Sequence, residues 1–156
     1  MVESRGISMI VTFAFLHHLA AFTLVAALAI EFMLIRQQLT LDNARRLVVI
    51  DGIFGASAGV LLIVGLLRVF FFEKGASYYF SSHAFLSKLG LFIIVGIISA
   101  IPTIEFLRWR KAVKAGQMPA VSEGKLRTIR RIIHWELAGV VLILLFAAMM
   151  ARGGFI

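Results

Sequence analysis

Apolar residues dominate four long stretches of this chain, and charged residues collect between them. The stretches cover residues 10–35, 47–72, 84–107 and 132–151. At a rise of about 1.5 Å per residue, each helix would be long enough to cross a hydrocarbon core of about 30 Å. The pattern therefore predicts an all-α membrane protein, with four transmembrane helices in an up-down-up-down bundle.

The composition leaves little chain for anything besides these helices. Of 156 residues, 61% are hydrophobic, and the mean hydropathy is +0.98. We therefore expect residues 1–156 to form a single transmembrane domain. The first stretch is longer than a signal-peptide core and lacks a clear small-residue cleavage site, so we expect it to be a mature span. The chain has no cysteine, which excludes disulfides, iron–sulfur clusters and thiolate metal sites.

The net charge of +8 is distributed unevenly along the chain. Three cations lie between residues 36 and 46, and eight between residues 108 and 131. Lys and Arg concentrate in cytoplasmic connectors, so the first and third connectors should face the cytoplasm and both termini the periplasm of a bacterial inner membrane. The basic third connector then indicates orientation and attraction to the lipid bilayer, and no nucleic-acid partner is expected.

Ionisable residues near the periplasmic ends of the predicted helices form the main candidate site. His17 and His18 lie about 10 Å inside the first span, Arg68 near the end of the second, and Lys88 near the start of the third. Intramembrane groups that cannot reach a loop are functional candidates by default. His17 shares a helical stripe with Glu31, which must avoid lipid, so His17 is the favoured inward-facing histidine. Both histidines can still line one wide pocket.

A b-type haem suits this layer of residues. His17 or His18 would bind the iron as the metal ligand, while Arg68 and Lys88 would hold two propionates. Small residues between 52 and 65 would admit the macrocycle. Copper would suit histidine and methionine but would leave the two cations unexplained.

The fourth span adds a further candidate ligand. A heptad-like stripe brings Met150 to the same layer, where it is either a second axial ligand or core filler. Lys88 is the candidate catalytic residue, as a proton donor or acceptor. We therefore predict a haem b-binding redox protein that transfers electrons near the periplasmic face, with a quinone or porphyrin-like small molecule as partner. Whether it is an enzyme, a haem-dependent oxidoreductase, stays open.

Acidic residues form a second layer near the cytoplasmic ends of the spans. They are Glu31, Asp51, Glu105 and Glu136. Arginines lie within a turn or two of these acids, so the spacing favours interfacial ion pairs that seal and orient the bundle.

Two other classes of function fit the same sequence. A copper or small-solute transporter would need a polar path, and four short-looped helices make only a thin conduit unless they form a homo-oligomer. A structural or accessory subunit of a larger membrane complex would use its charges only for packing. A glycine stripe left open on the surface of the bundle would support that reading.

Three segments carry a family resemblance: residues 15–22 (FLHHLAAF), 65–75 (GLLRVFFFEKG) and 150–153 (MARG). They resemble a bacterial family of uncharacterised four-helix membrane proteins, over nearly the whole chain. More distantly, the order of features is similar to the copper-resistance-D-like superfamily, which includes the four-helix membrane protoporphyrinogen IX oxidase.

The distant resemblance implies roles for particular residues. In the oxidase family a histidine of the first helix and a lysine of the third are important, and the protein binds haem b. By position these roles would fall on His17 or His18 and on Lys88, which begins the segment KLGLF. The oxidase has tryptophan and histidine just before its lysine, whereas here His83 precedes Lys88 by five residues. The related copper-resistance proteins are taken to move copper, which would again use histidine and methionine.

Overall fold

The structure is a computed structural model that describes the backbone of residues 2–72, 81 and 83–151, and the side chains of residues 7–71, 81, 83 and 85–149. The helices in these ranges are α1 (Val2–Leu34), α2 (Leu41–Leu67), α3 (His83–Lys114) and α4 (Glu123–Ala151). A π-helical turn at Arg68–Phe72 continues α2. Each of these helices contains a stretch long and apolar enough to cross a membrane. The predicted four-helix membrane bundle is confirmed.

At the third connector, α3 and α4 extend well beyond their apolar stretches. α3 runs on to Lys114, and α4 begins at Glu123, so the basic connector shrinks to residues 115–122. Lys, Arg and Glu are good helix formers, and outside the hydrocarbon they need no burial. Most of the cations of the third connector therefore lie on helix ends.

Local signals define the helix ends at both short connectors. The hydroxyl of Thr40 caps α2 by accepting a hydrogen bond from the Asn43 backbone nitrogen at 3.1 Å. Gly116, with a φ of 71°, ends α3 in a left-handed conformation that favours glycine. There the nitrogens of Gly116 and Gln117 donate to the carbonyls of Val113 and Ala112, at 3.1 and 2.9 Å. We call the end of the bundle that carries connectors 35–40 and 115–122 the basic end.

The helices pack in the cyclic order α1, α2, α3, α4. In the described part of the chain each helix contacts its two neighbours in this order and not the helix diagonally opposite. The connectors at the basic end are short, and short connectors make consecutive helices antiparallel neighbours.

The apolar core is concentrated toward the basic end. Its fully buried members include Leu28, Leu47, Phe106, Ile129 and Ile133. At the other end, which we call the terminal end, a small separate cluster forms around Val69 and Phe85. The bundle is thus filled at the basic end and leaves space between the helices toward the terminal end.

Candidate functional site

A cavity of about 570 Å³ lies between the four helices in the terminal half of the bundle. Its walls are mainly Leu, Val, Phe and Ala side chains, and its volume is in the range typical of small-molecule sites. The polar residues that line it are His17, His18, Arg68, Lys88 and Ser99. The structure therefore brings together the four residues that the sequence placed in one layer.

His18 has a defined ring orientation. Its Nδ1 lies 2.6 Å from the carbonyl oxygen of Ala14, one turn earlier in α1. A carbonyl can only accept, so Nδ1 carries the proton and donates it. This tautomer leaves Nε2 without a proton, which is the form in which an imidazole binds a metal.

His17 packs closely against α2. The side chain is half-buried, and a Cβ at Gly65 would lie 3.3 Å from His17 Cε1. The absence of a side chain at Gly65 therefore makes room for the ring. The two imidazoles are nearly perpendicular, with centroids 6.0 Å apart and planes at 86°. The helical stripe that favoured His17 as the more inward residue agrees with this burial, since His18 is the more exposed of the two.

Two cations reach the cavity from neighbouring helices. Arg68 begins the π-helical turn that continues α2, and Lys88 lies in the second turn of α3. Both are half-buried, and Lys88 Nζ lies 5.3 Å from the ring centroid of Phe85. π-helical turns occur often at functional sites, where they alter the register of a side chain relative to a regular helix.

The fourth helix reaches the same cavity through Val140, Ile143, Leu144 and Ala147. The backbone of Met150 lies in α4, one turn beyond Ala147. Its side chain falls outside the described residues, so its role as a second ligand stays a prediction.

The small-residue run of α2 does not form the cavity wall as expected. Gly52, Gly55 and Gly59 are exposed, and a Cβ at any of them would meet nothing within 4 Å. The expectation that this run lines the ligand site is wrong for these three positions, whereas Ala58 and Gly65 do line the cavity. One helix face carries the first three, and Gly65 lies on the other side, toward α1.

The acidic layer at the basic end divides into two kinds of residue. Glu105 forms the predicted interfacial ion pairs, with Lys125 at 3.0 Å and Arg108 at 3.4 Å. The indole nitrogen of Trp109 also donates to it, at 3.1 Å. This side chain therefore has a full set of cationic and neutral donors.

The other three acids are buried without a salt bridge to any residue of the described ranges. Glu31 and Glu136 are each 1% exposed, and Asp51 is 4% exposed. Asp51 accepts a hydrogen bond from the Thr103 hydroxyl at 2.7 Å. The prediction of ion pairs is thus wrong for Glu31, Asp51 and Glu136, which lie four residues inside their apolar stretches, whereas the paired Glu105 lies only two residues inside.

Sequence analysis did not single out Ser99, which is buried and lines the cavity. A hydroxyl residue within an apolar span was the available signal, and it is a weak one because serine is common in membrane helices. Among the described residues, no three His, Asp or Glu side chains lie close enough together to hold a metal ion.

Comparison with known proteins gives a family and no function. The family described as "Predicted membrane protein (DUF2214)" matches residues 9–154. No curated protein matches the chain, and no solved structure does.

Proposed function

We propose that this chain, which belongs to the DUF2214 family of predicted membrane proteins, is a haem b-binding redox protein of the bacterial inner membrane. The observation that carries the proposal is the cavity, which combines apolar walls with His17, His18, Arg68 and Lys88. An apolar pocket with a few convergent polar groups suits an amphipathic ligand that carries acidic groups.

The donor set fits haem better than it fits a bare metal ion. The porphyrin supplies four nitrogen ligands, so one imidazole from the protein is a sufficient contribution. His18 would bind the iron through Nε2, because its Nδ1 is already committed to the Ala14 carbonyl. The sequence favoured His17 for this role, and the hydrogen bond shifts the proposal to its neighbour.

The cations complete the fit. Arg68 and Lys88 lie on two adjacent helices, and both line the cavity that contains the histidines. Each would pair with one propionate, since guanidinium and ammonium groups both form charge-assisted hydrogen bonds with carboxylates. The Leu, Val and Phe walls would exclude water from the rest of the ring.

Haem held in this way would supply one-electron redox chemistry near one face of the membrane. The excess of cations at the basic end supports the orientation in which the cavity faces the periplasm. Lys88 would position a quinone or porphyrin-like partner and would donate or accept its proton.

Titration of haem into the detergent-solubilised protein tests this proposal. His18→Ala should weaken haem binding about tenfold or more, about 1.4 kcal/mol or more, because it removes the oriented nitrogen. His17→Ala should have a smaller effect, since His17 is placed by packing against Gly65. His134→Ala is the matched control, an exposed histidine that stacks on Phe32 with ring centroids 6.1 Å apart, outside the cavity. If His17→Ala, His18→Ala and the variant with both substitutions all bind haem as tightly as the wild type, α1 is not part of the site.

One observation favours a second candidate function, that of an accessory subunit in a larger membrane complex. Gly52, Gly55 and Gly59 form an open stripe on the outer face of α2. Small residues spaced in this way let a neighbouring transmembrane helix approach closely. Gly55→Leu would then shift the size of the detergent-extracted complex without changing haem binding, whereas an unchanged complex would count against this candidate.

A further inference from the structure

Four polar residues lie at one depth inside the bundle, one on each helix. They are Glu31, Asp51, Thr103 and Glu136, and each is four residues inside the basic-end boundary of its apolar stretch. Four helical residues correspond to about 6 Å, so all four lie just within the hydrocarbon. We call Glu31, Asp51 and Glu136 the buried carboxyl cluster.

The members of this cluster are buried at the same depth and influence one another electrostatically. Glu31 is close enough to interact electrostatically with both Asp51 and Glu136, and Asp51 interacts with Glu136 in the same way. Thr103 contributes one hydroxyl donor to Asp51. No hydrogen-bond partner in the described ranges reaches either carboxyl oxygen of Glu136, which is 1% exposed, or Oε1 of Glu31.

Several cations at the basic end contact groups other than the cluster. Lys125 and Arg108 pair with Glu105, which is on α3. Arg130 on α4 donates from Nε to the Ile35 carbonyl at 2.8 Å, and Arg36 lies over the Phe32 ring at 3.9 Å. Titratable or charged groups near the cluster, among the described residues, include Glu105 with its two cations, Arg36, and His134, whose ring stacks on Phe32 with centroids 6.1 Å apart.

A buried carboxylate without a counter-charge is very costly, and the usual resolution is that the group takes up a proton. Electrostatic repulsion between neighbouring carboxylates strengthens this requirement, because each negative charge raises the cost of the next. The histidine and acid groups of the described residues also do not assemble into a metal site. The proton is therefore the cation that this cluster can bind.

The cluster adjoins the deepest part of the cavity. Phe54, Ser99 and Val140 line the cavity, and each lies about one helical turn beyond Asp51, Thr103 or Glu136 respectively. On the other side, about one turn of α1 separates Glu31 from connector 35–40, whereas α2, α3 and α4 continue for roughly three turns or more beyond Asp51, Thr103 and Glu136. The cluster thus occupies the layer between the cavity and the nearer aqueous face.

From this placement we propose that Glu31, Asp51 and Glu136 form a proton-binding site that exchanges protons between the aqueous phase at the basic end and the cavity. Each proton that binds neutralises one carboxylate, and each proton that leaves restores one negative charge. The Thr103 hydroxyl orients Asp51 within the exchange. The site is independent of what the cavity binds, so it stands whether or not haem is present.

Infrared spectroscopy of the protein in lipid vesicles tests the proposal directly. At neutral pH the wild type should show absorption in the carbonyl-stretching region of protonated carboxylic acids. On transfer to D₂O buffer that band should shift to lower frequency, because a proton that exchanges with water is replaced by deuterium. If the wild-type protein shows no such band, or a band that does not shift in D₂O, the proposal is overturned without any variant.

Variants assign the band. Glu136→Gln and Asp51→Asn should each remove part of its intensity, whereas Glu105→Gln, the matched control at the ion-paired acid, should leave it unchanged. If Glu105→Gln removes the band and the two cluster variants keep it, the protonated group is elsewhere and the proposal fails. Haem titration of the same samples reports separately on the cavity, so failure of one proposal is distinguishable from failure of the other.

Discussion

The two adjacent histidines of α1 differ in their surroundings, although the sequence presents them as a pair. Helical spacing correctly predicts that both can reach one pocket and that His17 is the more buried. Spacing does not reveal that His18 Nδ1 is bound to its own helix, 2.6 Å from the Ala14 carbonyl. That hydrogen bond depends on the side-chain rotamer, which the sequence pattern does not specify.

The acids show the same limit at the residue scale. Proximity along the chain predicts the pairing of Glu105, whose partner Arg108 is three residues away. It fails for Glu31 and Glu136, which lie two residues, about 3 Å, farther inside their apolar stretches than Glu105 and are more fully buried. A difference of a few ångströms in depth thus decides whether an acid is paired.

Gly65 provides a prediction at this scale. Gly65→Leu should reduce haem binding about tenfold or more, about 1.4 kcal/mol or more, because the new side chain would occupy the cavity wall and contact His17, 3.3 Å from the position of its Cβ. Haem titration of the purified variant measures the effect. Gly59→Leu, on the open outer face of α2, is the control, and equal loss of binding in both variants would contradict the assignment of the cavity.

At the scale of the element, the four helices were predictable and their lengths were not. Apolar stretches of at least 20 residues identify the spans because the bilayer imposes that length. Hydropathy does not indicate that α3 extends to Lys114 or that α4 begins at Glu123. These extensions depend on helix propensity and on Gly116, which ends α3.

The contact between α3 and α4 depends on a glycine whose importance hydropathy does not indicate. A Cβ at Gly139 would lie only 2.5 Å from Val95 Cγ2, and Val95 is itself buried. The valine side chain is branched at Cβ and has little freedom to move aside. The two helices therefore approach closely at this point.

Gly139→Ala should consequently destabilise the bundle by about 1–3 kcal/mol, the usual cost of overpacking a core. Thermal unfolding in detergent, followed by circular dichroism, measures this change. Gly59→Ala is the control, since its Cβ would meet nothing within 4 Å. A Gly139→Ala protein as stable as the control would show that α3 and α4 are more loosely packed than described.

For the whole molecule, the distribution of charge predicts how the bundle sits in the membrane. The eight cations between residues 108 and 131 lie at the same end as the three between residues 36 and 46. This bias is large enough to orient the protein, because positively charged connectors are retained in the cytoplasm.

We therefore expect a reporter fused after Ile156 to be active as a periplasmic fusion, and a reporter inserted in connector 115–122 to be active as a cytoplasmic one. Paired alkaline phosphatase and fluorescent-protein fusions measure both positions. The reverse pattern would place the cavity at the cytoplasmic face and would invert the direction of proton exchange proposed for the buried carboxyl cluster.

The whole molecule is organised as a ligand cavity in the terminal half and a tightly packed, acid-containing half at the basic end. The sequence predicted to which half the histidines, the two cavity cations and the four acids belong, because their depths follow from their positions in the spans, but it missed Ser99. It did not predict that Gly52, Gly55 and Gly59 face outward, since the rotation of α2 is fixed by its packing against α1 and α3.

The haem content of the protein purified in mild detergent from haem-replete cells tests the central claim most directly. A pyridine haemochrome assay, combined with spectra before and after dithionite reduction, measures both the amount and the type of haem. We predict about one b-type haem per chain, with sharp α and β bands in the reduced state. A spectrum without these bands, even after haem is added to the purified protein, would contradict the account.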